Sequence, residues 1–334
     1  MVNHARIAVA ALAAVLAGGC DSFEDPDVVI DLRVLAMTAE PPTQVIAVDP
    51  VQPISPVALF AQLKPTTVCA YVADPGPARR LIWSLSLCPR VSSQRCSESS
   101  RVLIGGGVAE DPDLAIPAPV FCARVEPSED LARILMDAYE DDELGGLGGL
   151  EYSVLLRVGG ENDDPALDVY ANKTLRVEPG VVSGQQSNQN PRLLGLMGEG
   201  GSLLSPGSLS QGRCADGVAG FPVRTGDTVR ITPLELGGTR EHYTVPTIDG
   251  HAQSFTESLT YQWIASADGL SNGTTGGPRE ITGGFPPLVT EYRVPSPGRT
   301  GQPRISLWVV QRDERLGASF FETCLAVQAS PTSP

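Results

Sequence analysis

The sequence predicts an all-β chain of two tandem sandwich domains, with loop insertions in both and one short helix in the first. Three observations carry that prediction. Short runs of β-branched and large apolar residues recur along the chain, turn residues punctuate them, and the second half repeats landmarks of the first. The 334 residues, 42% hydrophobic and 19% charged, are enough for about two domains of roughly 100–200 residues each. That apolar content is too high and too evenly spread for a disordered chain. With 24 basic against 39 acidic residues and a net charge of -15, the chain offers a phosphate backbone little to hold, which excludes nucleic acid as a partner.

Residues 1–19 read as an export signal. Arg6 and the amino terminus supply positive charge, and Ile7 to Leu16 is an apolar run of ten residues, short of the roughly 20 that span a bilayer. The run leads into Leu16-Ala17-Gly18-Gly19-Cys20, where small residues let a peptidase reach the bond before a thiol that can take a diacylglyceryl group. The segment resembles the bacterial lipobox, departing from it in Ala17, where the pattern prefers Leu. The resemblance implies lipidation at Cys20 and a membrane partner reached through that lipid. The alternative is an ordinary signal cut near the same place, which leaves Cys20 a free thiol. An outer-membrane or cell-surface location is expected, with the periplasmic face of the inner membrane as the other possibility, since Asp21 resembles an inner-membrane retention signal. Residues 20–27 form an acidic, flexible tether.

The first domain is expected over residues 28–178. Val28 to Met37 reads as an apolar strand, and Pro56 to Leu63 alternates Val57, Leu59, Ala61 and Leu63 as a half-buried strand does. Val68 to Ala73, Arg80 to Leu87, Tyr152 to Val158 and Val169 to Val177 complete the strands. Pro127-Ser128-Glu129-Asp130 is a helix start, followed by Leu131, Ile134, Leu135 and Ala138 on one face. The polar, aperiodic stretch 179–190 is a linker. Residues 191–328 form the second domain, with strands at Pro191 to Met197, Thr228 to Leu236, Leu259 to Ala265, Val289 to Val294, Arg304 to Gln311 and Ser319 to Val327, and 329–334 is a tail.

The halves share an entry segment, Asp31 to Met37 against Asn190 to Leu196, a mid-strand tryptophan, Trp83 against Trp263, and a closing hairpin, Ser153 to Val177 against Ile305 to Val327. This points to a duplication. A tryptophan on a central strand followed by a terminal hairpin resembles the immunoglobulin-like sandwich, of the fibronectin-like or PKD-like kind found in bacterial repeats. With the Leu16 to Cys20 segment, the entry strand Leu32 to Pro42, Ala171-Asn172-Lys173 and Asn190-Pro191, the chain resembles uncharacterised bacterial lipoproteins with tandem repeats of this type. That resemblance implies architecture and anchoring, and no reaction.

Besides Cys20 there are six cysteines, Cys69, Cys88, Cys96, Cys122, Cys214 and Cys324, an even number that in an exported chain implies three disulfides. If each half is a domain, Cys214 pairs with Cys324 by elimination. The other four allow three pairings. Cys88 with Cys96 and Cys69 with Cys122 is the favoured set, because Cys88 and Cys96 lie close together after a strand. Lysine occurs only at Lys64 and Lys173, so the abundance of arginine reflects codon usage rather than ligand recognition.

Catalytic motifs are thin. His242 and His251 read as loop residues, and Gly269-Leu270-Ser271-Asn272-Gly273 lacks the helix and the later histidine that a nucleophile elbow needs. Glu161, Asp163 and Asp164 offer the hard oxygen ligands calcium prefers, although solvated turn residues are the simpler reading, so no cofactor is expected beyond this weak calcium site. The expected function is a lipid-anchored envelope binding or structural module without catalysis, with an unidentified protein or glycan partner. Carbohydrate binding and a carboxylate-dependent hydrolase are the alternatives. Residues 92–127, 237–254 and 269–287 are expected to be the loops that meet the partner.

Overall fold

The computed structural model describes residues 26–48, 61–75, 79–90, 96–97, 100–109, 120–144, 146–198, 201, 203–204, 220–247, 249, 251–279, 284–296 and 303–328. In the first half these form β1 (Arg33–Glu40), β2 (Thr43–Ala47), β3 (Thr66–Ala73), β4 (Leu81–Pro89), β5 (Val102–Val108), β6 (Val120–Val125), helix α1 (Glu129–Glu140), β7 (Leu150–Gly160) and β8 (Val169–Gly180). The second half contains β9 (Leu193–Met197), β10 (Leu203–Leu204), β11 (Phe221–Arg224), β12 (Thr228–Glu235), β13 (His242–Pro246), β14 (Ala252–Thr256), β15 (Leu259–Ala265), β16 (Thr274–Gly276), β17 (Thr290–Arg293), β18 (Arg304–Asp313) and β19 (Ala318–Gln328).

Strand order makes each half an immunoglobulin-like sandwich. In the first, sheet β1-β3-β6 packs on sheet β2-β8-β7-β4-β5, and in the second, sheet β10-β9-β12-β17 packs on β11-β19-β18-β15-β16. The five-stranded sheets match place for place, down to the parallel edge strand, β2 on β8 and β11 on β19, and the other sheet repeats β1-β3-β6 as β9-β12-β17 with β10 added at its edge. In both, a chain that starts on one sheet crosses to the other and ends in a central hairpin, with a tryptophan on the strand beside it. Trp263 is fully buried in the second core, while Trp83 is half-buried and stacks on Phe121 with ring centroids 4.9 Å apart. Helix α1 begins where expected: the Ser128 hydroxyl accepts the Leu131 N–H, and Leu131, Ile134 and Leu135 bury against the sandwich.

Three expectations change. The segment 92–127, expected to be an inserted loop, supplies two framework strands, β5 and β6. The glycines in Val102–Val108 obscured this. Gly105 packs so close to β6 that a Cβ there would stand 2.8 Å from the Ala123 Cβ, which makes glycine a strand residue at a close approach. Within 237–254, β13 and β14 form a hairpin. Every residue of β14 is exposed, so no alternation marks it as a strand. The strand expected over Pro56 to Leu63 falls mostly outside the described residues, and Ala61 to Leu63 is a turn with Leu63 buried.

The expected strand from Val28 to Met37 is also divided, and its first part belongs to the other half. Val28 bridges Ala265 in parallel, with the Val29 N–H donating to the Ala265 carbonyl at 2.9 Å and the Ala265 N–H donating to the Asp27 carbonyl at 2.8 Å. The end of the acidic tether is therefore fixed to β15, and strand β1 starts at Arg33, after the chain has turned back.

This crossing is part of a continuous junction between the sandwiches. Val29, Leu35, Ala36 and Ala73 pack with Ile264, Trp308 and Val310, and Tyr71 stacks on Phe320 with centroids 4.4 Å apart. Beside this apolar patch, the stretch 179–190 is tied down rather than loose. Asn188 is buried; its N–H donates to the Thr43 hydroxyl at 2.8 Å, and its side-chain amide donates to Asp313 at 3.0 Å and to the Arg315 carbonyl at 2.9 Å. The Asn190 amide donates to the Ala39 carbonyl at 2.7 Å while its oxygen accepts the Ala318 N–H at 2.9 Å. Buried Lys173 of β8 donates to the Leu316 carbonyl at 2.5 Å, in a hairpin turn whose Leu316 takes a left-handed φ of 75°. Burial brings the Lys173 ammonium down to about 8, with Asp313 opposing that shift and Arg312 adding to it.

Replacing Asn188 by Ala removes the two side-chain hydrogen bonds that hold the 179–190 stretch to the second sandwich at Asp313 and Arg315 and leaves buried partners unsatisfied. The expected cost is roughly 1–3 kcal/mol, read as a lower urea midpoint at unchanged secondary structure by circular dichroism.

Candidate functional site

The second half contains a cleft of about 520 Å³ between the base of the β13–β14 hairpin, the start of β15 and the segment after β16. Arg240, Glu257, Ser258, Gly276, Arg279 and Phe285 are among its walls. It falls where two connections of this half meet: the hairpin inserted between β12 and β15, and the chain that leads from β16 to β17. Gly276 is required in its floor: at φ 70° a Cβ would stand 2.5 Å from the Leu259 carbonyl oxygen.

A polar chain lies beneath one wall. The Arg240 guanidinium forks onto Glu235, with Nε donating to Oε2 at 2.9 Å and Nη2 to Oε1 at 2.6 Å. The Tyr261 hydroxyl donates to the same Glu235 oxygen at 2.5 Å and accepts from the Gln311 amide at 3.2 Å. Burial alone would raise the Glu235 carboxyl, but the bonds from Arg240 and Tyr261 outweigh it and hold the group below its ordinary value. The chain fixes Arg240 in place, and its Nη1 also reaches the Glu257 carbonyl at 3.4 Å.

Glu257 faces the junction as well as the cleft. Its side chain is fully buried, one oxygen accepts the Glu241 N–H at 3.1 Å, and the other lies 3.6 Å from the Arg315 guanidinium. Burial pushes its carboxyl up to about 7; the charges of Asp313 and Glu241 add to the shift, and the Glu241 N–H and Arg315 oppose it. Arg315 is itself shared among Glu241 at 3.4 Å, the Gln186 carbonyl at 2.7 Å and the face of the Tyr243 ring, 4.6 Å from its centroid. One buried arginine thus ties the linker stretch to the foot of the hairpin.

Arg279 and Phe285 form the outer rim. Phe285 is 72% exposed, and the Arg279 guanidinium lies over its ring at 4.4 Å from the centroid. Stacking of this kind leaves the N–H edges of the guanidinium available. Among the described residues Arg279 has no carboxylate partner. The stack could not be read from the sequence, where Arg279 is one of many arginines and Phe285 is an aromatic without a recognisable pattern.

The residues singled out from the sequence fall elsewhere. Cys20 and Cys214 lie outside the described residues. The structure joins Cys69 to Cys122 across the directly opposed strands β3 and β6, and Cys88 to Cys96 at the end of β4. Cys324 is also disulfide-bonded, and its partner is not among the described residues. The calcium candidates share one turn between β7 and β8, yet each has a separate task. Glu161 pairs with Arg80 at 2.9 Å, Asp163 pairs with Arg79 at 2.5 Å, and the Asp164 carboxylate caps a 3-10 turn by accepting the Ala166 N–H at 2.9 Å. Among the described residues, no group of three His, Cys, Asp or Glu side chains could hold a metal ion. His242 and His251 are exposed on the hairpin, and the Ser271 hydroxyl accepts the Glu291 N–H at 3.0 Å, a turn role.

No known family matches the sequence, and no curated protein resembles it. Solved structures with some likeness include the red sea bream transglutaminase, at 10% identity over 90% of this chain and 32% of that one, with a TM-score of 0.23. Murine CEACAM1b is 9% identical over 89% of this chain and 100% of its own, with a TM-score of 0.21. The N-terminal Ig1-2 module of the Drosophila receptor protein tyrosine phosphatase DLAR is 13% identical over 89% and 99%, with a TM-score of 0.22. TM-scores this low add nothing to the fold assignment, which rests on strand order.

The raised Glu257 carboxyl has a direct consequence for stability. Between its ordinary value of 4.5 and about 7 the folded chain holds a proton that the unfolded chain releases, so stability falls as pH rises through that window. The variant E257Q is expected to lose this slope and to be roughly 1–3 kcal/mol more stable than the parent above it, measured by urea unfolding at a series of pH values.

Proposed function

We propose that the protein is an exported, lipid-anchored binding module of the cell envelope without catalytic activity, and that the cleft of the second sandwich is where it meets its partner. The observation that carries the reading is the rim of that cleft. An aromatic ring and an arginine without a carboxylate partner among the described residues stand exposed and stacked on each other at one mouth. Exposed aromatics and arginines over a rigid base are the usual anchors of recognition. The disulfides support an oxidising compartment, and the Leu16 to Cys20 segment supports lipidation at Cys20.

Carbohydrate is the favoured partner class, because Phe285 offers the apolar platform that a sugar ring stacks on. A carboxylate-dependent hydrolase is the less favoured reading, since the carboxylate in the cleft wall, Glu257, has a fully buried side chain. Turnover of a polysaccharide by the purified protein, abolished by replacing a carboxylate, would overturn the binding reading in favour of an enzyme.

Anchoring is tested by growth with an alkyne analogue of palmitate. The parent chain is expected to take up the label and to sediment with membranes, and Cys20→Ala is expected to do neither. Equal labelling of the variant would contradict lipidation at Cys20.

A further inference from the structure

Resting on the binding reading, we infer that the cleft takes an acidic sugar, a uronic-acid unit of a polysaccharide, with its carboxylate on Arg279 and its ring against Phe285. Three features of the cleft define that ligand. The Arg279 guanidinium is braced over the Phe285 ring at 4.4 Å and lacks a carboxylate among the described residues, in a chain of net charge -15. Such a group presents parallel N–H donors, the arrangement that matches a carboxylate. The second cleft cation, Arg240, is held by Glu235, and among the described lining residues the acid, Glu257, keeps its side chain buried. Among the described residues of the cleft, the exposed charge is therefore the Arg279 guanidinium.

The remaining surface suits a sugar better than a peptide. Phe285 is followed by Pro286 and Pro287, which restrain the backbone carrying the ring, and Ser258 is also part of the lining. A peptide binding as an added strand needs free backbone donors and acceptors. Here the Gly276 N–H donates to the Pro287 carbonyl at 2.9 Å and the Gly277 N–H to the Leu259 carbonyl at 2.8 Å, so these cleft-lining amides are already engaged.

The test is calorimetric titration of the full chain with three probes: a tetramer of galacturonic acid, the same tetramer fully methyl-esterified, and poly-glutamate of similar charge. The acid tetramer is expected to bind at least about tenfold tighter than its ester, and R279Q is expected to abolish that preference while F285A weakens both sugars, each variant melting as the parent does. Equal binding of acid and ester would overturn the role of Arg279 and leave a neutral-sugar cleft. Tighter binding of poly-glutamate would replace the sugar with an acidic peptide. If neither sugar nor poly-glutamate binds, the acidic-sugar assignment fails. A photo-crosslinker at position 285, applied to intact cells, then separates the two failures: envelope material captured at 285 leaves the binding reading standing, and no capture ends it.

Discussion

The architecture depends on one strand being covered on both faces. In β18 the residues Ile305, Leu307 and Val309 point into the second core, while Trp308 and Val310 point the other way and meet Val29, Leu35, Ala36 and Ala73 of the first sandwich. A sheet with one face in water alternates apolar and polar residues, whereas a strand buried on both faces is apolar throughout. Ile305 to Gln311 is buried without a break, so the outer face of the second sandwich is stable only when the first lies on it. Burial of a side chain as large as Trp308 is worth several kcal/mol, and this junction also engages Tyr71 and Phe320. The two sandwiches form one body.

The polar groups around that patch set its geometry. Asn188, Asn190, Lys173 and Arg315 each bond to a group distant in sequence, and Arg315 and Glu257 connect the junction to the wall of the cleft. These directional bonds form in one relative placement of the halves, which makes that placement specific rather than merely sticky. The β13–β14 hairpin is fixed by the same groups, since the Tyr243 hydroxyl donates to Glu314 at 3.1 Å and Arg315 covers the Tyr243 ring. The hairpin wall of the cleft is thereby tied to the 179–190 stretch, through the Arg315 bond to the Gln186 carbonyl.

Much of this fold was legible in the sequence, because its strands alternate or run apolar as burial requires. The paired tryptophans and the two closing hairpins gave the duplication, and the strand orders of the two halves agree with it. What was not legible has physical causes. Strand β5 hides behind glycines placed for close contact with β6, β14 has no buried face to produce a pattern, and Val28 pairs with Ala265, far away in sequence. The continuous apolar run in β18 was present to be read as a twice-covered strand. The cleft was beyond sequence reading, because Arg279 and Phe285 gain meaning only once they are stacked.

The doubly covered strand β18 requires a rigid junction, and a distance measurement across it is the direct test. Spin labels at the exposed positions Leu103 of β5 and Leu194 of β9 would report one narrow distance distribution by pulsed electron resonance if the sandwiches form one body. A broad or multimodal distribution in the intact protein would show that the halves move independently, and would contradict the account.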